Sequence, residues 1–190
     1  QVVHPGADVG GIASCEVELC REDAAAVFFK NAVAVAQIKL CRRFFGIQPV
    51  PERTYIMGLS MGGYGAMKCA FTAPQQYAGC AGFSSVAEIQ AELPQLCRWH
   101  EDQAIFPHGI VPPQDDLFDL VEKFRDGTCP MPRLFLACGQ QDSLYPANLR
   151  LRDTLQAMNW PLTWYEAPGD HNWFFWNDAL GRAMKELLEN

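Results

Sequence analysis

The chain has 190 residues, a length that fits a single domain. Hydrophobic residues make up 49% of it and charged residues 19%, so the chain can bury a sizeable core and is too apolar to be disordered. Its net charge of −7 and the lack of a basic cluster argue against nucleic-acid binding. No stretch has the roughly 18 consecutive apolar residues that a membrane span requires.

Eight cysteines are scattered along the chain, and no two of them are separated by two residues. This spacing predicts neither a zinc site nor a redox pair. Reduced, mostly buried thiols in a cytoplasmic protein are the better interpretation. No signal peptide is visible, and the first residue is Gln1, not Met. We therefore expect that a segment of the protein precedes this chain.

Short apolar runs alternate with longer helical patterns along the chain, as is typical of an α/β domain with a mostly parallel sheet. In chain order the pattern predicts strands at 1–4, 54–57, 78–83, 133–138 and 162–166, and helices at 22–43, 64–71, 147–158 and 173–188. Residues 84–130 contain three short amphipathic pieces interrupted by prolines, which predicts an excursion over the end of the sheet. We expect residues 1–190 to form one domain, with 84–130 as a cap or insertion.

A Gly-x-Ser-x-Gly pattern runs from Gly58 to Gly62, with Ser60 at its centre, between a predicted strand and a predicted helix. The bare pattern is common by chance, but in this position it is typical of a nucleophilic serine on a sharp strand-to-helix turn. A Cβ on either glycine is expected to crowd that turn. The helix N-terminus would place N–H groups near a developing oxyanion, and the N–H of Met61 would be one donor.

A nucleophilic serine needs a base, and the base needs an acid that orients it. In α/β-hydrolases the acid lies between the serine and the histidine in the order of the sequence. Only four histidines are available, and His171 alone follows a predicted strand late in the chain. His4 and His100 are poorly placed, and His108 lies in the proline-rich excursion. A single histidine is more often structural, but its position and order favour His171 as the base.

Asp142 follows the strand predicted at 133–138 and is the favoured acid. Because chemistry in open α/β sheets gathers at the carboxyl ends of the strands, Ser60, Asp142 and His171 are expected to converge on one rim. Asp170 is the competing acid. Adjacent residues rarely point their side chains at each other, so Asp170 is expected to brace the loop instead.

A cluster of aspartates and a run of aromatic residues are expected mainly to have structural roles. Asp115, Asp116 and Asp119 are expected at the solvated start of a helix. The aromatic run 173–176 is expected mainly to pack in the core, since the last helix must bury one face against the sheet. Trp173, two residues after the candidate base, is also a candidate to wall the substrate pocket.

Three segments resemble the putative-esterase family of α/β-hydrolases: 58–67 (GLSMGGYGAM), 138–145 (CGQQDSLY, followed by Asn148) and 168–176 (PGDHNWFFW). This family includes esterase D (S-formylglutathione hydrolase), tributyrin and acetyl-xylan esterases and feruloyl esterases. The likeness is closest to the tributyrin and acetyl-esterase branch, and it covers roughly residues 50–190.

The resemblance implies an α/β-hydrolase fold with Ser60 as nucleophile, Asp142 as acid and His171 as base. It implies hydrolysis of a short-chain acyl ester or thioester through an acyl-enzyme, without metal or cofactor. We expect a small-molecule or sugar-linked ester as substrate, with Leu59 and Trp173 as candidate contacts, and neither nucleic acid nor membrane as partner. Whether the chain forms a homo-oligomer is left open.

The N-terminal part departs from the family pattern. Members carry early strands and a His-Gly loop that supplies a second oxyanion N–H, but only 57 residues precede Gly58 and His4-Pro5-Gly6 matches that loop poorly. We expect the first strands and one oxyanion donor to be missing, a loss that typically costs about 10²–10³ in kcat. Acyl transfer to an alcohol other than water and a catalytically impaired remnant therefore stay open as alternatives.

Overall fold

The computed structural model describes residues 43–44, 46, 50–96 and 106–189. The strand predicted at 1–4, nearly all of the helix predicted at 22–43, and two of the four histidines, His4 and His100, lie outside these residues. The N-terminal expectations built on residues 1–11 lie outside them as well.

The elements predicted from residue 54 onward are present, and none of their boundaries moves by more than three residues. In the part of the chain that the structure describes, the strands and α-helices are β1 Tyr55–Leu59, α1 Met61–Thr72, β2 Gly79–Phe83, α2 Ile89–Leu96, α3 Leu117–Glu122, β3 Arg133–Gly139, α4 Tyr145–Ala157, β4 Leu162–Ala167 and α5 Trp173–Glu189. Short 3-10 turns cover Pro51–Arg53, Pro74–Gln76, Pro107–Gly109 and Pro113–Asp115.

The four strands form one parallel sheet in the order β1-β2-β3-β4. Leu59, the last residue of β1, pairs with Phe83, the last residue of β2, and Phe83 pairs with Ala137 near the end of β3. All four strands therefore end at the same edge of the sheet, and the loops that follow β1, β3 and β4 meet there.

Successive strand residues point to opposite faces of the sheet, and helices cover both faces. On one face the sheet packs against α1, α2, α3 and α4; the larger members of this core are Tyr64, Met67, Phe71, Cys80, Leu93, Leu117, Val121, Leu134, Leu136, Leu151 and Leu155. On the other face it packs against α5; these residues are Ala81, Phe83, Phe135, Ala137, Phe175, Trp176, Ala179, Ala183 and Leu187. Because β2 and most of β3 are covered on both faces, they read as continuous apolar runs.

Residues 84–130 form no strand in their described part, 84–96 and 106–130, as the proline-rich composition predicts. Their apolar side chains are part of the larger core. The Phe124 ring packs edge to face on Trp160 at a centroid distance of 4.6 Å, and Phe71 lies beside both rings. This segment therefore packs against the helical layer; that it also forms a cap over the substrate stays a prediction.

The three aspartates near 115–119 differ from the expectation at one position. Asp116 caps α3 by accepting hydrogen bonds from the N–H groups of Phe118 and Asp119. Asp115 is not simply solvated, because its carboxylate forms an ion pair with the buried Lys68. A buried ammonium is costly without a partner, so tertiary packing and not the start of the helix determines the role of Asp115.

The aromatic run at the start of α5 divides between the core and the surface. Phe175 and Trp176 are buried, whereas Trp173 is 68% exposed and Phe174 is 92% exposed. The expectation that the run packs in the core is therefore correct for Phe175 and Trp176 and wrong for Trp173 and Phe174. None of the helices in the described ranges is both long enough and apolar enough to span a bilayer.

Candidate active site

Ser60 sits on the turn between β1 and α1 in a backbone conformation that side chains seldom adopt, with φ 54° and ψ −123°. The Ser60 N–H donates to the carbonyl of Phe83 at 2.8 Å, which ties the turn to the end of β2. Its carbonyl accepts from the N–H groups of Gly63 and Tyr64, which starts the helix. These bonds hold the serine in a strained position from which its side chain projects at the sheet edge.

Two glycines of this turn, Gly58 and Gly63, have no room for a Cβ, whereas the Gly-x-Ser-x-Gly pattern points to Gly58 and Gly62. A Cβ on Gly58 would lie on the carbonyl of Gly62, and a Cβ on Gly63 would lie on the hydroxyl of Ser85. A Cβ on Gly62 would meet nothing within 4 Å. The expectation that both glycines of the Gly-x-Ser-x-Gly pattern avoid crowding is correct for Gly58 and wrong for Gly62.

Asp142 lies in a tight turn between β3 and α4. Its N–H donates to the carbonyl of Gly139 at 3.1 Å, and its Oδ1 accepts from the N–H of Leu144 at 2.9 Å. The side chain is fully buried. The turn therefore presents Oδ2 in one orientation.

His171 lies in the loop between β4 and α5, which is fastened to the loop of Asp142. Gln141 makes two bonds to Gly169: its N–H donates to the Gly169 carbonyl at 2.9 Å, and its Oε1 accepts from the Gly169 N–H at 2.6 Å. Asp170 accepts from the N–H of His171 at 2.7 Å, in agreement with its expected role in bracing the loop. The histidine loop is thus held next to the acid loop by backbone and side-chain bonds.

The structure brings Ser60, Asp142 and His171 together. Nδ1 of His171 lies 2.9 Å from Oδ2 of Asp142, and Nε2 lies 2.9 Å from Oγ of Ser60. An ionised carboxylate can only accept, so Nδ1 carries the ring proton and Nε2 is free to accept the serine hydroxyl proton. The histidine side chain is 32% exposed, so a solvent-borne molecule can reach it. This arrangement can turn a weakly nucleophilic hydroxyl into a reactive one.

The electrostatics of Asp142 favour its charged form. Burial on its own raises the pKa of this carboxyl, but hydrogen bonds from His171, Ser84 and the N–H of Leu144 outweigh burial, and the net pKa lies below the usual value. The carboxylate therefore stays ionised near neutral pH and can stabilise an imidazolium on His171.

The remaining predicted residues lie around this group. Met61 is the first residue of α1, directly after Ser60, and Leu59 ends β1 and packs on the α5 side of the sheet. Trp173 contacts Trp176 edge to face at 5.5 Å, and Trp176 contacts the His171 ring edge to face at 4.8 Å. An aromatic chain thus links the exposed Trp173 to the imidazole.

Two residues that the sequence analysis did not single out also influence this group. Ser84 follows β2, is fully buried and is one of the groups that lower the pKa of Asp142. Trp176 borders His171 and was expected only as part of the core. Their only sequence signal was position, one directly after a buried strand and the other five residues after the candidate base. In the described ranges, no three His, Cys, Asp or Glu side chains are grouped so that they could hold a metal ion.

Comparison with known proteins gives a consistent result. The model of the "Putative esterase" family matches residues 40–124, which include Ser60. An acetyl esterase of Caldicellulosiruptor saccharolyticus is 28% identical over 167 residues, which cover 83% of this chain and 63% of that protein. The chain thus spans less than two thirds of the length of this relative.

Two solved structures from Staphylococcus aureus are similar in fold and sequence. The S-formylglutathione hydrolase FrmB superposes with a TM-score of 0.76 at 28% identity, over 83% of this chain and 63% of that one. The fluorophosphonate-binding serine hydrolase FphF has a TM-score of 0.76 at 27% identity, over 87% and 69%. The parallel sheet, the helices on both its faces and these matches lead to one conclusion: the chain has an α/β-hydrolase fold and is similar to the putative esterase family.

Proposed function

We propose that this chain is a serine ester hydrolase that acts on short-chain acyl esters, with Ser60 as nucleophile, His171 as base and Asp142 as acid. The observation that carries the proposal is the pair of 2.9 Å contacts of the His171 ring, one to Oγ of Ser60 and one to Oδ2 of Asp142. The similarity to an acetyl esterase and to two serine hydrolases supports the same class of reaction.

The reaction begins when Nε2 of His171 accepts the hydroxyl proton of Ser60 as Oγ attacks the acyl carbon. His171 then returns that proton to the departing alcohol, and the acyl group remains on Ser60 as an ester. A water molecule gives a proton to the same imidazole and attacks the acyl carbon, which releases the carboxylic acid and restores the hydroxyl. Asp142 stabilises the imidazolium in both halves of the cycle.

The negative charge on the carbonyl oxygen needs hydrogen-bond donors. Met61 is the candidate, because its N–H lies at the first residue of α1, where a helix N-terminus carries partial positive charge. Leu59, next to Ser60 in sequence, and Trp173 are candidate substrate contacts. Trp173 is exposed and joined to His171 through Trp176, a position from which its indole can cover an acyl or alcohol group.

Two variants of this chemistry use the same residues. In acyl transfer, an alcohol takes the place of water as the acceptor in the second step. In thioester hydrolysis, a thiol takes the place of the alcohol as the leaving group in the first step. The similarity to an S-formylglutathione hydrolase favours the thioester as a second substrate class. We also propose a cytoplasmic location, since the cysteines in the described residues, Cys69, Cys80, Cys129 and Cys138, are free thiols.

The proposal is tested with p-nitrophenyl acetate and with a fluorophosphonate probe that labels activated serines. Replacing Ser60 by Ala removes the nucleophile, so we expect hydrolysis to fall by about 10⁴-fold or more and labelling to vanish. His171→Asn is expected to behave similarly. His108→Asn is the matched control, because His108 is exposed and lies in the turn Pro107–Gly109. A folded parent chain that neither hydrolyses the ester nor reacts with the probe would favour an impaired remnant.

Addition of a competing alcohol separates hydrolysis from transfer. A hydrolase releases acetate whether or not the alcohol is present. A transferase produces the new ester in proportion to the alcohol, which chromatography detects. The same design with an acyl thioester measures the preference between oxygen and sulfur leaving groups.

A further inference from the structure

The two hydrogen-bond contacts of the His171 ring leave one of its motions free. Nδ1 faces Oδ2 of Asp142 and Nε2 faces Oγ of Ser60, each at 2.9 Å, so the positions of the two nitrogens are fixed. The ring can still tilt about the line that joins these nitrogens, because the torsion that turns a histidine ring has broad minima. A contact away from that line is needed to hold the plane of the ring.

Trp176 supplies such a contact. Its indole lies against the imidazole edge to face, with a distance of 4.8 Å between the ring centroids and an angle of 86° between the planes. Perpendicular aromatic rings at this separation touch each other, so a tilt of the imidazole presses it against the indole. The exposed part of the His171 side chain, 32% of it, borders solvent and gives no such restraint.

Trp176 is itself held in place. Its side chain is 8% exposed and belongs to the core between α5 and the sheet. Its N–H donates to the carbonyl of Asn172 at 3.2 Å, which places its backbone directly after the loop of His171. On its other side it contacts Trp173 edge to face at 5.5 Å. Side chains packed in a core occupy single rotamers, so the indole is a rigid wall beside the imidazole.

The indole contributes its ring to the site and not its N–H group. Nε1 of Trp176 is buried and has no hydrogen-bond partner among the described residues, which costs free energy. Trp160 differs in this respect: it is 5% exposed, packs on the opposite face of the sheet, and donates its Nε1 proton to the carbonyl of Pro132 at 2.8 Å. Ring contact is therefore what distinguishes Trp176 at this place.

We propose that Trp176 is a positioning residue that holds the plane of the His171 imidazole, so that Nε2 stays directed at Oγ of Ser60 while Nδ1 keeps its contact with Asp142. This inference rests on the proposed function of the same site. A tilted imidazole accepts the serine proton less readily, which slows attack on the acyl carbon. Substrate binding does not depend on that proton, so the loss falls on kcat and not on KM.

Two replacements of Trp176 separate rigidity from size. Trp176→Phe and Trp176→Met both remove the unpartnered Nε1 and shorten the side chain, but only phenylalanine keeps a rigid ring, whereas methionine is flexible. We expect Trp176→Met to lower kcat by about 5- to 20-fold with less than about a 2-fold change in KM. Trp176→Phe is expected to keep kcat within about 3-fold of the parent.

Trp160→Met is the matched control. It makes the same substitution at an equally buried tryptophan on the other face of the sheet, and it also breaks the hydrogen bond to Pro132. We expect it to destabilise the fold at least as much as Trp176→Met and to change kcat by less than about 2-fold. All rates are measured below the melting temperature of each variant, which circular dichroism gives. Trp176→Leu takes the place of Trp176→Met if that variant does not fold.

A comparison of substrates separates positioning from direct substrate contact. The rates with p-nitrophenyl acetate and p-nitrophenyl butyrate, and the rate of labelling by a fluorophosphonate, all depend on proton transfer from Ser60 to His171. We expect Trp176→Met to lower all three by the same factor, to within about 2-fold. A loss confined to one of the two esters would make Trp176 part of the acyl pocket and would overturn the positioning role.

A second measurement does not require turnover. In the full chain with ¹⁵N-labelled histidine, at one fixed pH, NMR follows exchange of the Nδ1 proton of His171 with water, and the His171→Asn variant identifies its signal. The contact with Asp142 protects this proton from exchange. A ring free to tilt opens the contact more often, so we expect exchange to be faster by about 3-fold or more in Trp176→Met and unchanged in Trp160→Met.

The outcomes distinguish this inference from the proposed function. If the parent chain hydrolyses no ester but exchange is faster in Trp176→Met alone, the positioning role stands and the proposed function fails. If the parent chain is active and Trp176→Met changes neither kcat nor exchange, the positioning role is wrong and the proposed function stands. Equal losses of kcat in Trp176→Met and Trp160→Met would also overturn the inference, since destabilisation alone would then explain them.

Discussion

The conformation of the turn that carries Ser60 depends on whether its neighbouring glycines have room for a Cβ atom. Ser60 has a positive φ, and α1 begins at the next residue, so the backbones of Gly58 and Gly62 come into close contact. At Gly58 the space for a Cβ is already occupied by backbone, which cannot move aside as a flexible side chain can. At Gly62 the Cβ direction is open. Two glycines of one motif therefore have different physical roles.

Replacing each of these glycines by alanine measures the difference. We expect Gly58→Ala to lower the free energy of unfolding by about 1–3 kcal/mol, because the methyl group forces the turn open. Gly62→Ala is expected to leave stability unchanged or to raise it by up to about 1 kcal/mol, because alanine favours a helix and nothing blocks it. Urea unfolding of both variants checks this. Equal losses would contradict the assignment of crowding to Gly58 alone.

At the scale of elements, the loops after β3 and β4 act as one unit. Parallel pairing of the two strands continues past their ends through Gln140, whose N–H donates to the carbonyl of Ala167, and through the two bonds between Gln141 and Gly169. These bonds determine where the loop of His171 lies relative to that of Asp142. The side chain of Gln140, by contrast, hydrogen-bonds Glu166 at the surface, at 3.3 Å.

The two neighbouring glutamines offer a matched comparison. Gln141→Ala removes the acceptor for the Gly169 N–H, so we expect kcat for ester hydrolysis to fall about 5-fold, the equivalent of one hydrogen bond of about 1 kcal/mol. Gln140→Ala is expected to change kcat by less than about 2-fold, because its bond to Glu166 lies on the surface. Gln141→Glu keeps an acceptor and should recover most of the rate. If Gln140→Ala reduced kcat as much as Gln141→Ala, the fastening role of Gln141 would be wrong.

At the largest scale, residues 50–96 and 106–189 form a sheet between two helical layers, and α5 is the helix of these ranges that covers one face. Helix α5 buries Ala179, Ala183 and Leu187 against β2 and β3, while Leu180, Met184 and Leu188 are exposed. Leu187 also comes close to Gly79, where a Cβ would lie 3.2 Å from its Cδ2. Among the described residues, the packing on this face of the sheet therefore depends on one face of α5.

Leu187 and Leu188 are adjacent, chemically identical and differ in burial, at 1% and 50% exposure. Leu187→Ala leaves a cavity between α5 and the sheet, so we expect it to lower the free energy of unfolding by about 2–5 kcal/mol. Leu188→Ala is expected to cost less than about 1 kcal/mol, because its side chain is half in solvent. Thermal and urea unfolding provide the measurement. Similar losses for both would mean that the exposed face of α5 is covered in solution.

Several features of the fold were predictable from local pattern. The strands and helices from residue 54 onward follow from runs of apolar residues and from helical spacing, and the order of Ser60, Asp142 and His171 follows from the strands that each residue succeeds. Parallel strands end at a common edge, so these residues had to lie near one another. Such inferences use only near neighbours in sequence and the geometry of a parallel sheet.

Other features depend on contacts between distant parts of the chain. The role of Gly62 was predicted incorrectly because the space where its Cβ would lie is open, and the role of Asp115 because its partner, the buried Lys68, lies in another segment. The division of the aromatic run between core and surface has the same origin, since helical rotation at α5 is set by the sheet beneath it.

The sequence by itself determined the α/β class, the strand and helix positions and the three candidate site residues, because those depend on periodicity and chain order. Only the tertiary structure decided the two 2.9 Å contacts of His171 and the fastening of its loop by Gln141. These contacts join residues that are 28 to 111 positions apart, and no local propensity encodes the distances between such residues.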